Sequence, residues 1–484
     1  MKRDSVSKNL VFQFFYQVVM LVLPLIISPY LTRTLGSSGL GAYTYSYTIA
    51  YYFILFANLG ISRHGQRTVA EKIAKKEDYQ KAFWSILYLH FLVSAVVAAI
   101  YFIFVFIFCK DNKALFLVEG IFVCSAIFDI TWFFYGIEKF KSVVIKNTII
   151  KIIEFALIFL FVKSQADLII YAIIVSSGIF LGQLVLLPGA LKICKPVFVK
   201  KEEIISNIKP MFVFFISVLA VSLYTVFDKV LIGLMVDKSN VAFYEYSNKI
   251  ISIPLTFITI IGTVLFPKAC QLASQNDTAG QKKYINASLL LTSFIGMGTM
   301  FGLFSISKEF SIIYFGEGFS ECGMIMICMS GLPYIIGVGE IIRSQFMIPY
   351  HMDFHFNFCI VANAILNIVL SIALIPVLGV YGAVVGTCAA ELFGCSYQLF
   401  ICRKYLKLKD IFAKLFPFVF IGFFMFGFIN ILSSFLNEGI VGLIVKVLSG
   451  AFVFCAASFL YIYLFEKDVW HMFLDKFKRH KTKN

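Results

Sequence analysis

The chain has 484 residues, of which 60% are hydrophobic and only 14% charged, with 42 Lys and Arg against 27 Asp and Glu for a net charge of +15. Soluble globular domains carry about a quarter charged residues, so this composition, with a mean hydropathy of +0.88, excludes a soluble fold and indicates an integral membrane protein. The 11 Cys are scattered through apolar runs with no CxxC and no Cys/His cluster, so they read as small packing residues and no metal site is expected.

The basic start MKRDSVSKNL leads into an apolar run too long for a signal-peptide core, with no small-residue cleavage site after it, so it is expected to stay as the first membrane helix. A spanning helix needs about 20 mainly apolar residues. Fourteen candidates follow in order, near 10–31, 41–62, 82–108, 114–136, 142–163, 167–191, 208–236, 241–265, 284–307, 322–345, 354–375, 380–402, 412–435 and 440–465. These runs are too long and too uniformly apolar for β-barrel strands. The expected fold class is an all-α polytopic membrane protein.

Placing both termini on one side gathers most of the basic residues there: Arg63, Arg67, Lys72, Lys75, Lys76, Lys81, Lys139, Lys141, Lys146, the Lys clusters in 192–209, 268–283 and 403–414, and the basic tail. The positive-inside rule then puts both termini in the cytoplasm. Basic loops facing an anionic leaflet account for the net charge without nucleic acid. The loops are short throughout, which leaves no room for a soluble catalytic domain, and an enzyme is not expected.

The sequence partly repeats at a shift of 201 positions (43 to 244). LGAYTYSYTI at 40–49 aligns with VAFYEYSNKI at 241–250, pairing Tyr43 with Tyr244, Tyr45 with Tyr246, Ser46 with Ser247 and Ile49 with Ile250. Six helices between the copies imply two parallel six-helix lobes, a design that transporters use to frame a cavity. The expected division is 1–200, 201–405, and 406–484 for helices 13 and 14 with the basic tail.

Polar and charged groups inside spans are costly and face a partner or a cavity. At three- and four-residue steps, Gln13 and Gln17 share a face of helix 1, Tyr43, Tyr47 and Asn58 of helix 2, and Lys151 and Glu154 of helix 5. Helix 7 aligns Tyr224 with Asp228, and helix 8 carries Glu245, Lys249, Ser252, Thr256, Thr259 and Thr263. Helix 12 aligns Thr387, Glu391 and Gln398. The candidate cations are Arg33, Arg63, Arg67, Lys151, Lys229, Lys249, Lys268 and Arg343, chemistry that suits an anionic, phosphorylated substrate. The carboxylates Asp129, Glu154, Asp228, Glu340 and Glu391 are candidates for coupling to a cation such as Na+ or to protons. Trp132, three residues after Asp129, reads either as a sugar-stacking ring or as an interfacial-belt Trp.

PYLTRTLGSSGLGAYTYSYTIAYYF, LGISRHGQRTVAE, FDITWFFYGIEKFK, FDKVLIG and IPLTFITIIGTVLFPKA together resemble the Wzx-type polysaccharide-unit flippases. These belong to the wider group of multidrug, oligosaccharidyl-lipid and polysaccharide exporters. The resemblance runs from helix 1 to helix 12. It implies a MATE-like transporter of fourteen helices and two lobes in the cytoplasmic membrane of a bacterium, without cofactor. The implied substrate is an undecaprenyl-pyrophosphate-linked oligosaccharide, passed outward by alternating access for O-antigen, capsule or exopolysaccharide assembly. A polymerase and glycosyltransferases are implied partners beside the membrane lipids. It also implies pyrophosphate contacts for Arg33, Arg63, Arg67, Lys229, Lys249 and Lys268, while His64 stands where related chains often carry Asn. A cation-coupled drug exporter and a peptidoglycan-precursor flippase are the alternatives on the same architecture. A membrane glycosyltransferase would need long outer loops that this chain lacks.

Overall fold

The computed structural model describes residues 6–467 and 470, with side chains from residue 19 onward apart from Asp410. Among the described residues every regular element is helical. The first, α1 (Val6–Asn58), has 53 residues, about 80 Å at 1.5 Å per residue and more than twice the ~30 Å hydrocarbon thickness. It is two helices joined at Gly36, whose φ of 70° and ψ of 173° interrupt the helical path and favour glycine. The connection expected between the spans near 10–31 and 41–62 is therefore a single-residue kink.

The amphipathic α2 (Ile61–Ala74) buries Ile61, His64, Gly65 and Val69. Next come α3 (Gln80–Phe108) and α4 (Lys113–Ser125). The fourth expected helix breaks at Asp129 and resumes as α5 (Thr131–Gly136), followed by α6 (Phe140–Phe161), α7 (Leu168–Ile193) and the short α8 (Lys201–Ile205). The seventh expected helix is likewise two pieces, α9 (Ile208–Thr225) and α10 (Asp228–Met235). These elements, with the first turn of α11 (Lys238–Ser274), form a compact unit that ends at Ala242. Its aromatic core joins Phe83, Trp84, Trp132, Phe133 and Phe134 to Ile61 and Met211.

The second unit runs from Phe243 through the rest of α11, α12 (Thr278–Phe315), α13 (Glu321–Met329), α14 (Leu332–Ile342) and a π-helical turn, Arg343–Met347. It continues with α15 (Asp353–Leu378), α16 (Val380–Cys402), α17 (Leu408–Ser433) and α18 (Ile440–Phe465). Here α15 and α16 pack backbone to backbone. Gly382, Gly386, Ala390 and Gly394 recur every four residues on α16 and meet Ile375, Ser371, Asn367 and Asn363 at the same step on α15, all buried. A Cβ at Gly386 would stand 2.6 Å from the Ser371 hydroxyl. Small residues at this spacing let membrane helices approach closely.

This division differs from the one expected from the repeat. The α9 and α10 helices pack on α1 and α2 and so fall in the first unit. The α17 and α18 helices pack on α12 and so form part of the second unit, where residues 406–484 were expected to stand as an appendage. Among the described residues, eleven helices are long and apolar enough to cross a membrane, or twelve if the bent pair Glu317–Met329 and Leu332–Met347 is one span. The expected fourteen is reached only by dividing the first of these at Gly36 and adding α6. That helix misses the criterion because Lys146, Lys151 and Glu154 interrupt its apolar run.

Candidate functional site

In the first unit the polar groups converge where α6 meets α7. Lys146, Asn147, Lys151, Glu154, Gly178 and Gln183 line a cavity of about 140 Å³. Glu154 is buried, and one of its oxygens accepts from Lys151 Nζ at 2.6 Å. The glycine at 178 makes room for this carboxylate, because a Cβ there would overlap its second oxygen. Lys146, counted from sequence as a cytoplasmic loop cation, sits instead on the buried face of α6. Charge alone could not separate it from its neighbours Lys139 and Lys141.

Elsewhere in this unit Tyr43 meets Tyr171 edge-on at 4.7 Å between ring centroids and stacks on Tyr47 at 5.8 Å, and Tyr47 lies flat on Phe122 at 4.7 Å. Glu119 of α4 is fully buried and accepts from the Ser176 hydroxyl at 3.0 Å. Sequence reading missed Glu119, whose only signal was a lone carboxylate inside the apolar run LFLVEGIFV.

Other predicted residues of this unit fall elsewhere. Asp129 Oδ1 accepts from the backbone N–H and the hydroxyl of Thr131, at 2.9 and 2.6 Å, so it closes an Asx-type turn just before the broken fourth helix restarts. Trp132 is in the core, 1% exposed, against Phe83 and Phe133. Gly65 is the reason it fits, since a Cβ there would strike the indole. The ring therefore reaches neither the interface nor a cavity. Arg63 and Arg67 lie on the exposed face of α2, with Arg67 bonded to Glu71 at 2.7 Å. Between them His64 turns inward, its Nε2 2.8 Å from Asn207 Oδ1. Arg33 is exposed and donates to the Pro29 carbonyl. Asp228 is buried at the start of α10, with Lys229 and Tyr224 half-buried beside it. Asn58 is half-buried, with its side-chain oxygen enclosed. Gln13 and Gln17 lie outside the residues whose side chains are described.

In the second unit the expected stripe on α11 divides into two. Glu245 and Lys249 pair at 3.8 Å, with Lys249 Nζ 4.1 Å above the Tyr246 ring. The hydroxyls of Ser252, Thr256, Thr259 and Thr263 each donate to a carbonyl three or four residues earlier. Lys268 donates to Gln271 at 3.0 Å. Arg343, in the π-turn, donates to Glu340 at 2.9 Å and lies within electrostatic reach of Glu391 on α16.

Three pairs thus share one design: Lys151 with Glu154, Lys249 with Glu245, and Arg343 with Glu340. Each cation rests on a carboxylate one turn away along the chain, half-covered by protein. Such a pair is neutral as a whole, which lowers the cost of holding charge in an apolar layer. An anion that binds more strongly can still draw the cation away.

A family model described as "Polysaccharide biosynthesis protein" matches residues 6–273. Two curated relatives carry the description "Putative O-antigen transporter". The one from Shigella dysenteriae is 23% identical over 397 residues, covering 81% of this chain and 99% of the relative. The one from Escherichia coli strain K12 is 22% identical over 407 residues, covering 83% and 97%. Among solved structures, the lipid II flippase MurJ in an inward closed conformation superposes with a TM-score of 0.74 at 16% identity, over 94% of this chain and 98% of that one. The eukaryotic MATE transporter AtDTX14 matches with a TM-score of 0.46 at 13% identity, over 84% and 95%. The MurJ superposition shows a shared fold.

Proposed function

The chain belongs to the polysaccharide biosynthesis protein family, and from that premise we propose that it flips an undecaprenyl-pyrophosphate-linked oligosaccharide from the inner to the outer leaflet of a bacterial cytoplasmic membrane. In this reading both termini face the cytoplasm, and the protein alternates between inward and outward access. The observation that carries it is the set of three cation–carboxylate pairs. A diphosphate offers several charged oxygens where each resident carboxylate offers two, so it competes for the cations by charge-assisted hydrogen bonds. Arg343 is suited to bidentate contact, and Lys151 and Lys249 act as point charges. A carboxylate that loses its cation to the substrate then becomes a site for a Na+ or a proton. That links substrate occupancy to an ion gradient by the reciprocity of binding.

The test is made in the source organism. Depleting the protein should trap lipid-linked oligosaccharide in the inner leaflet. Re-expression of wild type should relieve the block, whereas re-expression of Lys249→Glu or Arg343→Glu should not. Normal surface polysaccharide from charge-reversed variants expressed at wild-type levels would remove these residues from substrate binding.

A further inference from the structure

In FMIPY the residue before the proline, Ile348, keeps helical backbone, with φ of −67° and ψ of −47°. Pro349 has no N–H, so the Gln345 carbonyl, four residues earlier, loses its ordinary helical partner and is crowded by the proline ring. The helix answers by widening: Arg343–Met347 is a π-turn, closed by the Ile348 N–H donating to the Arg343 carbonyl at 3.0 Å. The Gln345 carbonyl is taken up from outside the helix. Gln281 of α12 donates to it through Nε2 at 2.8 Å.

One further bond fixes that donor, and two more hold the side chain of Gln345 itself. Tyr350 donates to Gln281 Oε1 at 2.6 Å. The Gln345 side chain and Ser288 bond through both amide atoms, with Nε2 to the hydroxyl at 2.8 Å and the hydroxyl to Oε1 at 3.1 Å. Gln281, Ser288 and Gln345 are each at most 2% exposed. A closed polar network in an apolar interior holds one geometry, because every alternative leaves a buried group without a partner. The turn so held carries Arg343.

We infer that Gln281 is a positioning residue that sets the register of the π-turn and thereby presents Arg343 beside Glu340. The consequence for transport rests on the reading of Arg343 as a substrate-holding cation. The register itself does not. One residue added to a helical turn rotates what lies on either side by about 100°. Loss of the Gln281 donor therefore redirects Arg343 without touching it.

Register can be read by cross-linking in the full-length protein. A Cβ at Gly262 of α11 would lie 3.1 Å from the Ser344 hydroxyl, so Gly262→Cys with Ser344→Cys should form a disulfide under a membrane-permeant oxidant, detected as the linked peptide by mass spectrometry. Gln281→Leu in this background should cut the yield at least tenfold and lower the melting midpoint. Adding Pro349→Ala returns an N–H to the Gln345 carbonyl. The melting midpoint should then recover, while the cross-link stays lost and surface polysaccharide stays absent. A cross-link unchanged by Gln281→Leu would overturn the inference. Recovery of cross-link and transport together in the double variant would also overturn it, because Gln281 would then serve stability alone. A lost cross-link with normal surface polysaccharide would uphold the register lock and remove only the reading of Arg343.

Discussion

Lys446 of α18 donates to Glu309 of α12 at 2.6 Å, and both side chains are largely buried, at 7% and 21% exposed. This pair ties α18 to α12, and the apolar contact of Phe454 with Phe294 joins the same two helices. Breaking a buried pair by removing one partner leaves a charge without compensation and costs about 3–5 kcal/mol. Lys446→Met should therefore lower the melting midpoint of the purified protein sharply, and adding Glu309→Gln should recover much of the loss. A single variant as stable as wild type would show that the pair contributes nothing.

Asp129 offers a separation of roles. As the acceptor of an Asx-type turn it should tolerate Asn, which accepts the same hydrogen bonds from Thr131, whereas Ala should cost about 1 kcal/mol. As a coupling carboxylate it should not tolerate Asn. The turn geometry predicts that Asp129→Asn melts and transports like wild type. Loss of surface polysaccharide in a normally folded Asp129→Asn protein would assign the residue to coupling.

Close approach makes its own prediction. Gly386 stands against Ser371 with no room for a side chain, so Gly386→Val should separate α15 from α16 and cost about 1–3 kcal/mol or more. The expected result is a poorly expressed protein whose α15 and α16 amides exchange faster, measured by hydrogen exchange. A variant exchanging like wild type would show that these helices are held by something other than their small-residue stripe.

How much of this was legible beforehand follows the strength of the signals. Long apolar runs outweigh every local preference in a membrane, so each expected helix lies largely on helical backbone. Breaks inside them were harder to read. Asp129 followed by Thr131 has the form of a helix start, yet the flanking apolar residues hid it, and FDK at 227–229 hid the break before α10 in the same way. The compact units end elsewhere than the repeat suggests, because a repeat in sequence records two copies of a motif, whereas compact units are decided by what α9 and α10 pack against. At the candidate site, one-turn spacing placed Glu245 with Lys249 and Lys151 with Glu154, since partners on one helix are visible in sequence, whereas Glu340 and Arg343 were read separately and are paired only in the structure. Lys146, Glu119 and the Gln281–Gln345 contact were not visible, because their partners lie on other helices.

The central claim is tested most directly by where lipid-linked oligosaccharide resides when the protein is removed. In spheroplasts of the source organism depleted of the chain, an impermeant sugar-modifying enzyme added outside should leave the lipid-linked oligosaccharide intact. Wild type, but not Arg343→Glu, should restore its modification. Unchanged modification from outside after depletion, with normal surface polysaccharide, would contradict the account.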